Sequence, residues 1–161
     1  MGEHPRSDVG QIVLFVTFLA VWIADSFFFK YTTPLSRYIP LYVRIPLSAV
    51  ILVISGYFAL AAHRILFEEE RKIPVVIRHG VFGVVRHPLY FSVILLCLGL
   101  LLLTFSMAAV LVWIIIFIFY NFIASYEENL LIEEFGKDYE KYQQTVPRWI
   151  PRFGKGMRGD G

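Results

Sequence analysis

Arg86, His87 and Tyr90 fall within five residues, Arg86-His87-Pro88-Leu89-Tyr90, where a polar stretch meets a long apolar run. A guanidinium and an imidazole can donate hydrogen bonds to a carboxylate or a phosphate. Tyr90 adds a phenol on an aromatic ring. A second group, Glu127-Glu128, closes another apolar run farther along the chain. Its carboxylates can accept from hydroxyls or an amine. Brought together, the two groups suit a zwitterionic ligand placed beside a membrane-dissolved one. The plainer role is an Arg–Glu bridge that staples two helix ends, a weak stabiliser when exposed.

The elements that must position these residues are membrane helices. The chain is 57% hydrophobic and 17% charged, with a mean hydropathy of +0.62. Soluble domains are nearer 45–50% apolar and roughly 25% charged. The apolar residues cluster into four runs, 11–29, 41–62, 89–103 and 107–123. About 20 residues cross a bilayer core, so the first two are ample and the last two barely sufficient. The expected fold is all-α: a single membrane domain, 1–161, of about four transmembrane helices. Segments 63–88 and 124–153 are expected to be polar and cytoplasmic, and 154–161 a flexible tail.

Thr104-Phe105-Ser106 is a tight break, so the third and fourth runs must form an antiparallel hairpin. Pro88 suits a first helical turn, where its missing N–H is no loss. His87 and Arg86 then sit just outside the helix. Ile73-Pro74 is expected to end a helical extension that carries Glu68-Glu69-Glu70. Leu130, Leu131 and Phe135 mark an amphipathic helix leaving the membrane, with Gly136 as its stop. A second short helix carries Tyr139 and Tyr142. Trp149, between basic residues, reads as an interfacial anchor. Asp25 interrupts the first run, where an ionisable group is costly and is a functional candidate by default. Its position near the end of the run predicts that it reaches the interface or pairs with Lys30. Arg44 is expected to snorkel.

Charge asymmetry orients this arrangement. With four spans, the N-terminus, the 63–87 loop and the tail share one side and hold twelve of the fifteen Lys and Arg. Lys30, Arg37 and Arg44 are on the other. The positive-inside rule makes the richer side cytoplasmic, termini included. Arg86-His87-Pro88 and Glu127-Glu128 then lie at the cytoplasmic ends of two hairpin helices and should be neighbours in space.

Other chemistries find little support. His4, His63, His79 and His87 are scattered without metal-ligand spacing, and no metal is expected. Cys97 is the only cysteine and lies inside an apolar run, so no intramolecular disulfide forms. No serine sits in a nucleophile elbow. There is no P-loop, and Gly80 with Gly83 is too sparse for a nucleotide fingerprint. No nucleic-acid partner is expected. The first run lacks a small-x-small cleavage site, so no cleaved signal peptide is expected.

Three segments carry a family resemblance. His79-Gly80-Val81-Phe82-Gly83-Val84-Val85-Arg86-His87-Pro88-Leu89-Tyr90 resembles the first motif of the isoprenylcysteine carboxyl methyltransferase and phospholipid methyltransferase superfamily. Residues 127–142, with Glu127, Glu128, Leu131, Phe135, Gly136, Tyr139 and Tyr142, resemble its second, E-E-x-x-L-x-x-x-F-G-x-x-Y-x-x-Y. Val146-Pro147-Arg148-Trp149-Ile150-Pro151 resembles its closing V-P-R-W-I-P. The resemblance covers about residues 75–151.

It implies an S-adenosylmethionine-dependent methyltransferase built from membrane helices, its cofactor in a cytoplasmic pocket. By resemblance, His87 and Tyr90 contact the methionine part, Glu128 the polar groups, and Gly80 admits close backbone approach. Arg148 lies near the acceptor, and Glu127 serves as base if the acceptor is an amine. Tyr90, Tyr120 and Tyr126 could face the cationic sulfonium, with membrane-interface belting the expectation for Tyr120 and Tyr126. Gly83 departs from the family, which usually has arginine or lysine there. The function expected is methyl transfer to a lipophilic or membrane-bound acceptor: a carboxylate, thiol or amine of a small molecule, lipid or prenylated group. The rivals are a non-catalytic membrane subunit whose charged hairpin end is structural, and an inactive member of the same fold.

Overall fold

The computed structural model of the chain describes residues 5–69 and 75–151. All regular structure in them is helical: α1 (Pro5–Ile23), α2 (Leu41–Glu69), α3 (Pro88–Thr104), α4 (Met107–Phe135) and α5 (Lys137–Thr145). A π-helical turn, Ala24–Phe29, extends α1, and 3-10 turns occupy Pro34–Arg37 and Gly80–Gly83. Three helices are long and apolar enough to cross a membrane: Val9–Phe29, Leu41–Glu68 and Met107–Phe135. The fourth, α3, has 17 residues. The expected stop at Ile73-Pro74 and the tail 154–161 lie outside the described residues.

α3 is the centre of the bundle and packs antiparallel to α2. The Ser48 hydroxyl donates to the Gly99 carbonyl (2.6 Å) and the Ser55 hydroxyl to the Ser92 carbonyl (2.8 Å). Small residues let two backbones approach this closely, and in lipid such bonds satisfy groups that water cannot. Gly99 suits the crossing: a Cβ there would lie 2.7 Å from Leu52 Cδ2, and the leucine side chain would have to shift.

The hairpin turn forms as its residues dictate. Phe105 takes a left-handed conformation (φ 52°) to end α3. Ser106 caps α4, accepting from the Ala109 N–H at 3.2 Å. The Trp113 indole then bonds back to the Ile94 carbonyl at 3.0 Å. α1 runs antiparallel to α4, and Phe18, Ile94, Cys97, Leu101, Ile116 and Tyr120 form the main core.

Two elements differ from expectation. The amphipathic helix carrying Glu127 and Glu128 is no separate element but the continuation of α4, because Ala124-Ser125-Tyr126 contains no helix breaker. Gly136 stops it as expected, at φ 55°, its N–H on the Ile132 carbonyl at 2.8 Å. Asp25 neither reaches the interface nor pairs with the Lys30 ammonium. It is buried, accepting from the Thr32 N–H (3.1 Å), the Thr32 hydroxyl (2.5 Å) and the Ser106 hydroxyl (2.5 Å). The π turn and the left-handed Lys30 (φ 56°) bring Thr32 back to it. Asp25 thereby ties α1 to the start of α4.

Candidate functional site

Sequence places Arg86 and His87 just before Pro88, and the structure keeps them there. Pro88 opens α3 and His87 is its N-cap. The segment before it is fixed by a small apolar cluster of Val81, Val85, Phe58 and Ala62. Behind it, α5 and residues 146–151 close over the top. The Arg86 N–H donates to the Pro147 carbonyl at 3.0 Å, and the Tyr142 hydroxyl donates to the Phe82 carbonyl at 2.6 Å. Burial raises the pKa of both Tyr139 and Tyr142, so these phenols stay protonated, and Tyr142 acts as a structural donor.

α4 brings Glu128 to the same point. Its position follows from length: at about 1.5 Å per residue, the run from Met107 carries it roughly 30 Å, the thickness of a bilayer core. Glu128 is the hub of the site, with a side chain only 5% exposed. Its Oε1 accepts from Arg86 Nε, His87 Nε2 and Arg148 Nε, each at 3.0 Å. Its Oε2 accepts from Arg148 Nη2 at 2.5 Å and Gln143 Nε2 at 3.2 Å. Arg148 thus grips the carboxylate with its Nε/Nη2 edge, the bidentate geometry that a planar guanidinium favours. Its Nη1 donates to Asn121 Oδ1 (3.0 Å) and Ser125 Oγ (2.9 Å).

Glu127 lies alongside, its side chain 38% exposed. It accepts from the Tyr90 hydroxyl, and its Oε2 is 3.5 Å from His87 Nδ1. His87 is therefore held between two carboxylates. Burial pushes its pKa down, but hydrogen bonds and charge from Glu127 and Glu128 outweigh that, so it is raised above its ordinary value of 6.5. Aromatic rings continue the site toward the membrane. Tyr90 stacks on His87 (centroids 5.6 Å) and on Tyr120 (4.9 Å). Trp149 lies 6.0 Å from His87 and 5.9 Å from Phe117.

Family comparison becomes informative at this point. The sequence profile of the phospholipid methyltransferase family matches residues 43–138, more than half of the chain and all of the hairpin that builds the hub. The chain belongs to the phospholipid methyltransferase family. It is similar to a probable protein-S-isoprenylcysteine O-methyltransferase of Oryza sativa, 32% identical over 89 residues. That match covers 55% of this chain and 45% of the rice protein. The protein-S-isoprenylcysteine O-methyltransferase of Schizosaccharomyces pombe is 28% identical over 88 residues, 54% of this chain and 37% of the yeast protein. The matched stretch thus spans less than half the length of these curated relatives. No solved structure matches.

Within this family setting, the structure brings together His87, Tyr90, Glu127, Glu128 and Arg148, five of the six site residues that sequence nominates. Arg148 is part of the Glu128 hub rather than of a separate acceptor wall. Gly80 is placed differently: at φ +60° it turns the chain, and a Cβ there would lie 2.6 Å from Ile65 Cδ1 on α2. Its left-handed backbone is what selects glycine there. Gly83 is a steric requirement, since a Cβ would lie 2.9 Å from the Arg78 carbonyl oxygen. The basic side chain usual in the family does not fit this turn. Tyr120 does not belt the interface; it is buried at 4% exposure beneath Tyr90. Trp149 packs against the core and donates to Asn121 at 3.1 Å instead of standing free as an anchor.

Two participants escape the sequence reading. Gln143 has no signal that singles it out. Asn121 does: it interrupts the apolar part of α4, and Asn121, Ser125 and Glu128 recur at i, i+4 and i+7, so they share a face. That polar stripe is the track on which Arg148 lies.

Proposed function

We infer that this chain transfers a methyl group from S-adenosylmethionine to a lipophilic acceptor held in the membrane. The observation that carries the inference is the convergence of Arg86, His87 and Arg148 on Glu128, with Glu127 and Tyr90 beside it, at the joined ends of two apolar helices. A structural staple needs one cation and one carboxylate. This site gathers three cationic or protonatable donors, two carboxylates and a stacked aromatic wall.

The donor set fits the cofactor's chemistry. A methionine carboxylate calls for cationic donors, which Arg86, His87 and Arg148 supply. An amino group or ribose hydroxyl calls for acceptors, which Glu127 and Glu128 supply. Tyr90 and Tyr120 present π faces suited to a sulfonium, an attraction of roughly 0.5–2 kcal/mol. Bound there, the cofactor would supply an electrophilic methyl group on a good leaving group.

The chain's own contribution is positioning and exclusion of water. Arg148 and Arg86 fix the Glu128 carboxylate from two sides. His87, its protonated form favoured by its two carboxylates, can present a positive charge at the mouth of the hairpin. Residues 146–151 and α5 cover the site from the polar side, which places solvent behind it and lipid in front. The names of the relatives describe O-methyl transfer to a protein's S-isoprenylcysteine. For such a carboxylate acceptor no general base is required. For an amine, the half-exposed Glu127 is the group that would take the proton at Oε2. We read the polar end as cytoplasmic, in keeping with the charge asymmetry, and the four helices as one membrane domain.

Calorimetric titration of S-adenosylmethionine into detergent-purified protein tests the reading. Saturable 1:1 binding, lost in Glu128→Gln and His87→Ala, is expected. A folded wild type that does not bind would sink it.

A further inference from the structure

The other end of the bundle carries a second set of cations. Arg44 in the first turns of α2, Lys30 beyond the π turn, and the hydroxyls of Ser26, Thr33, Ser36 and Thr104 line a recess of about 220 Å³. The length of α3, at about 1.5 Å per residue, puts it roughly 25 Å from Glu128. Arg44 Nη1 donates to the Leu103 carbonyl at 2.6 Å, which fixes the guanidinium. Its Nε is buried and has no hydrogen-bond partner among the described residues. A buried N–H left unpaired costs about 1–3 kcal/mol, so the geometry calls for an acceptor.

The atoms concerned identify the kind of acceptor. Nε and Nη2 form the same guanidinium edge with which Arg148 grips both oxygens of Glu128. The described acid at this end of the bundle is Asp25, and its oxygens are engaged by Thr32 and Ser106. The hydroxyls lining the recess are committed as well: Ser26 donates to Thr104 (2.8 Å) and Ser36 to the Thr33 carbonyl (2.6 Å). They line the site without neutralising it. Lys30 has no ion pair among the described residues, and its left-handed backbone bonds back to the Asp25 carbonyl at 2.8 Å. Two cations therefore border one recess against a single carboxylate, Asp25, which is turned inward onto Thr32 and Ser106.

We propose that this recess binds a phosphate-type oxyanion, gripped by the Nε/Nη2 edge of Arg44 and neutralised by Lys30. A tetrahedral phosphate offers the paired oxygens that a guanidinium edge favours and a charge that suits two cations. At the end of a membrane bundle it can come from a phospholipid headgroup or from free phosphate.

Thermal unfolding of the detergent-purified full chain separates these sources. The additions are phosphatidylglycerol, inorganic phosphate and uncharged diacylglycerol. The chains are wild type, Arg44→Gln, Lys30→Gln and Arg37→Gln, the last a cation of the same connection that does not line the recess. A saturable rise in Tm with phosphatidylglycerol alone assigns a headgroup; a rise with phosphate as well assigns the anion itself. In either case diacylglycerol gives none. The midpoint should shift at least tenfold in Arg44→Gln, several-fold in Lys30→Gln and not at all in Arg37→Gln. Arg44→Gln also loses the tie to Leu103; if it does not fold, Lys30→Gln reads the site by itself. No rise in wild type with either anion, or wild-type midpoints in the folded recess variants, would overturn the proposal. None of these outcomes depends on methyl transfer.

Discussion

Arg148 and Arg44 offer the same edge of the same functional group at opposite ends of one bundle. Arg148 meets Glu128 with it, inside a cluster where every charge faces an opposite one. Arg44 meets a recess bordered by Lys30. The difference lies in where the carboxylates are. At the first end they project from α4 into the cationic group. At the second, Asp25 is turned inward and held by the Thr32 N–H and two hydroxyls, away from the recess. A carboxylate inside the cluster makes a preorganised site of paired charges, which a zwitterion enters by exchange of partners. Its absence leaves a site with net attraction for an anion. One fold thus holds two cationic ends that differ in where the carboxylate lies, inside the cluster at one and turned away from the recess at the other.

The largest effect is expected from Glu128→Gln. It removes the hub charge and leaves Arg86, Arg148 and His87 facing one another without it. Removing one partner of a buried ion pair costs about 3–5 kcal/mol. The variant should lose S-adenosylmethionine binding in calorimetry and unfold at markedly lower temperature. Wild-type stability would mean that the hub is solvated, and the contrast between the ends would collapse.

Asp25→Asn is the corresponding change at the other end and should be smaller, about 2 kcal/mol, the scale of hydrogen bonds to a charged group. An amide keeps one acceptor oxygen but turns an NH₂ toward hydroxyls that now donate. Thermal unfolding should report the loss, while the affinity for S-adenosylmethionine stays at the wild-type value. A variant that folds normally yet loses that affinity would show that the two ends are coupled.

How far the sequence reveals this contrast depends on whether partners lie on regular helices. The Arg86-His87-Pro88 and Glu127-Glu128 groups were legible because a three-residue break forces a hairpin and so forces their ends together. Gly136 was legible because a stop at φ > 0 selects glycine. The partners of Asp25 were not, since Thr32 reaches it only through a π turn and a left-handed lysine that no periodicity signals. Tyr120 was misjudged for a different reason. Its place near the end of an apolar run suits an interfacial belt, but its helix face, set by packing against Tyr90, points inward. Gln143 sits on α5, whose docking is tertiary. Asn121 could have been found by asking which polar residues share a face with Glu128.

His87 gives a finer probe, because its charge depends on the carboxylates that distinguish the two ends. Its folded pKa is raised above 6.5. Its contribution to stability is therefore fully present below about pH 6.5, the ordinary histidine value, and is lost as pH rises through the raised folded value. The Tm difference between wild type and His87→Gln, worth about 1.5 kcal/mol at pH 6, should shrink as the pH rises. A difference that instead grows with pH would mean that burial, not Glu127 and Glu128, governs the imidazole.

Tyr90→Phe is expected to have the smallest effect and separates positioning from charge. The phenylalanine keeps the stacking on His87 and Tyr120 and removes only the hydroxyl that donates to Glu127. A lost hydrogen bond of this kind costs about 1 kcal/mol. If Glu127 acts as a base toward an amine acceptor, freeing it from Tyr90 should change kcat and its pH profile. If the acceptor is a carboxylate, kcat should hold and only stability should fall slightly. A loss of S-adenosylmethionine affinity as large as that of Glu128→Gln would contradict both, since the aromatic wall and the hub charge remain in place. The measurement therefore tells whether the carboxylate beside the hub takes part in chemistry or only holds Tyr90 and His87 in place.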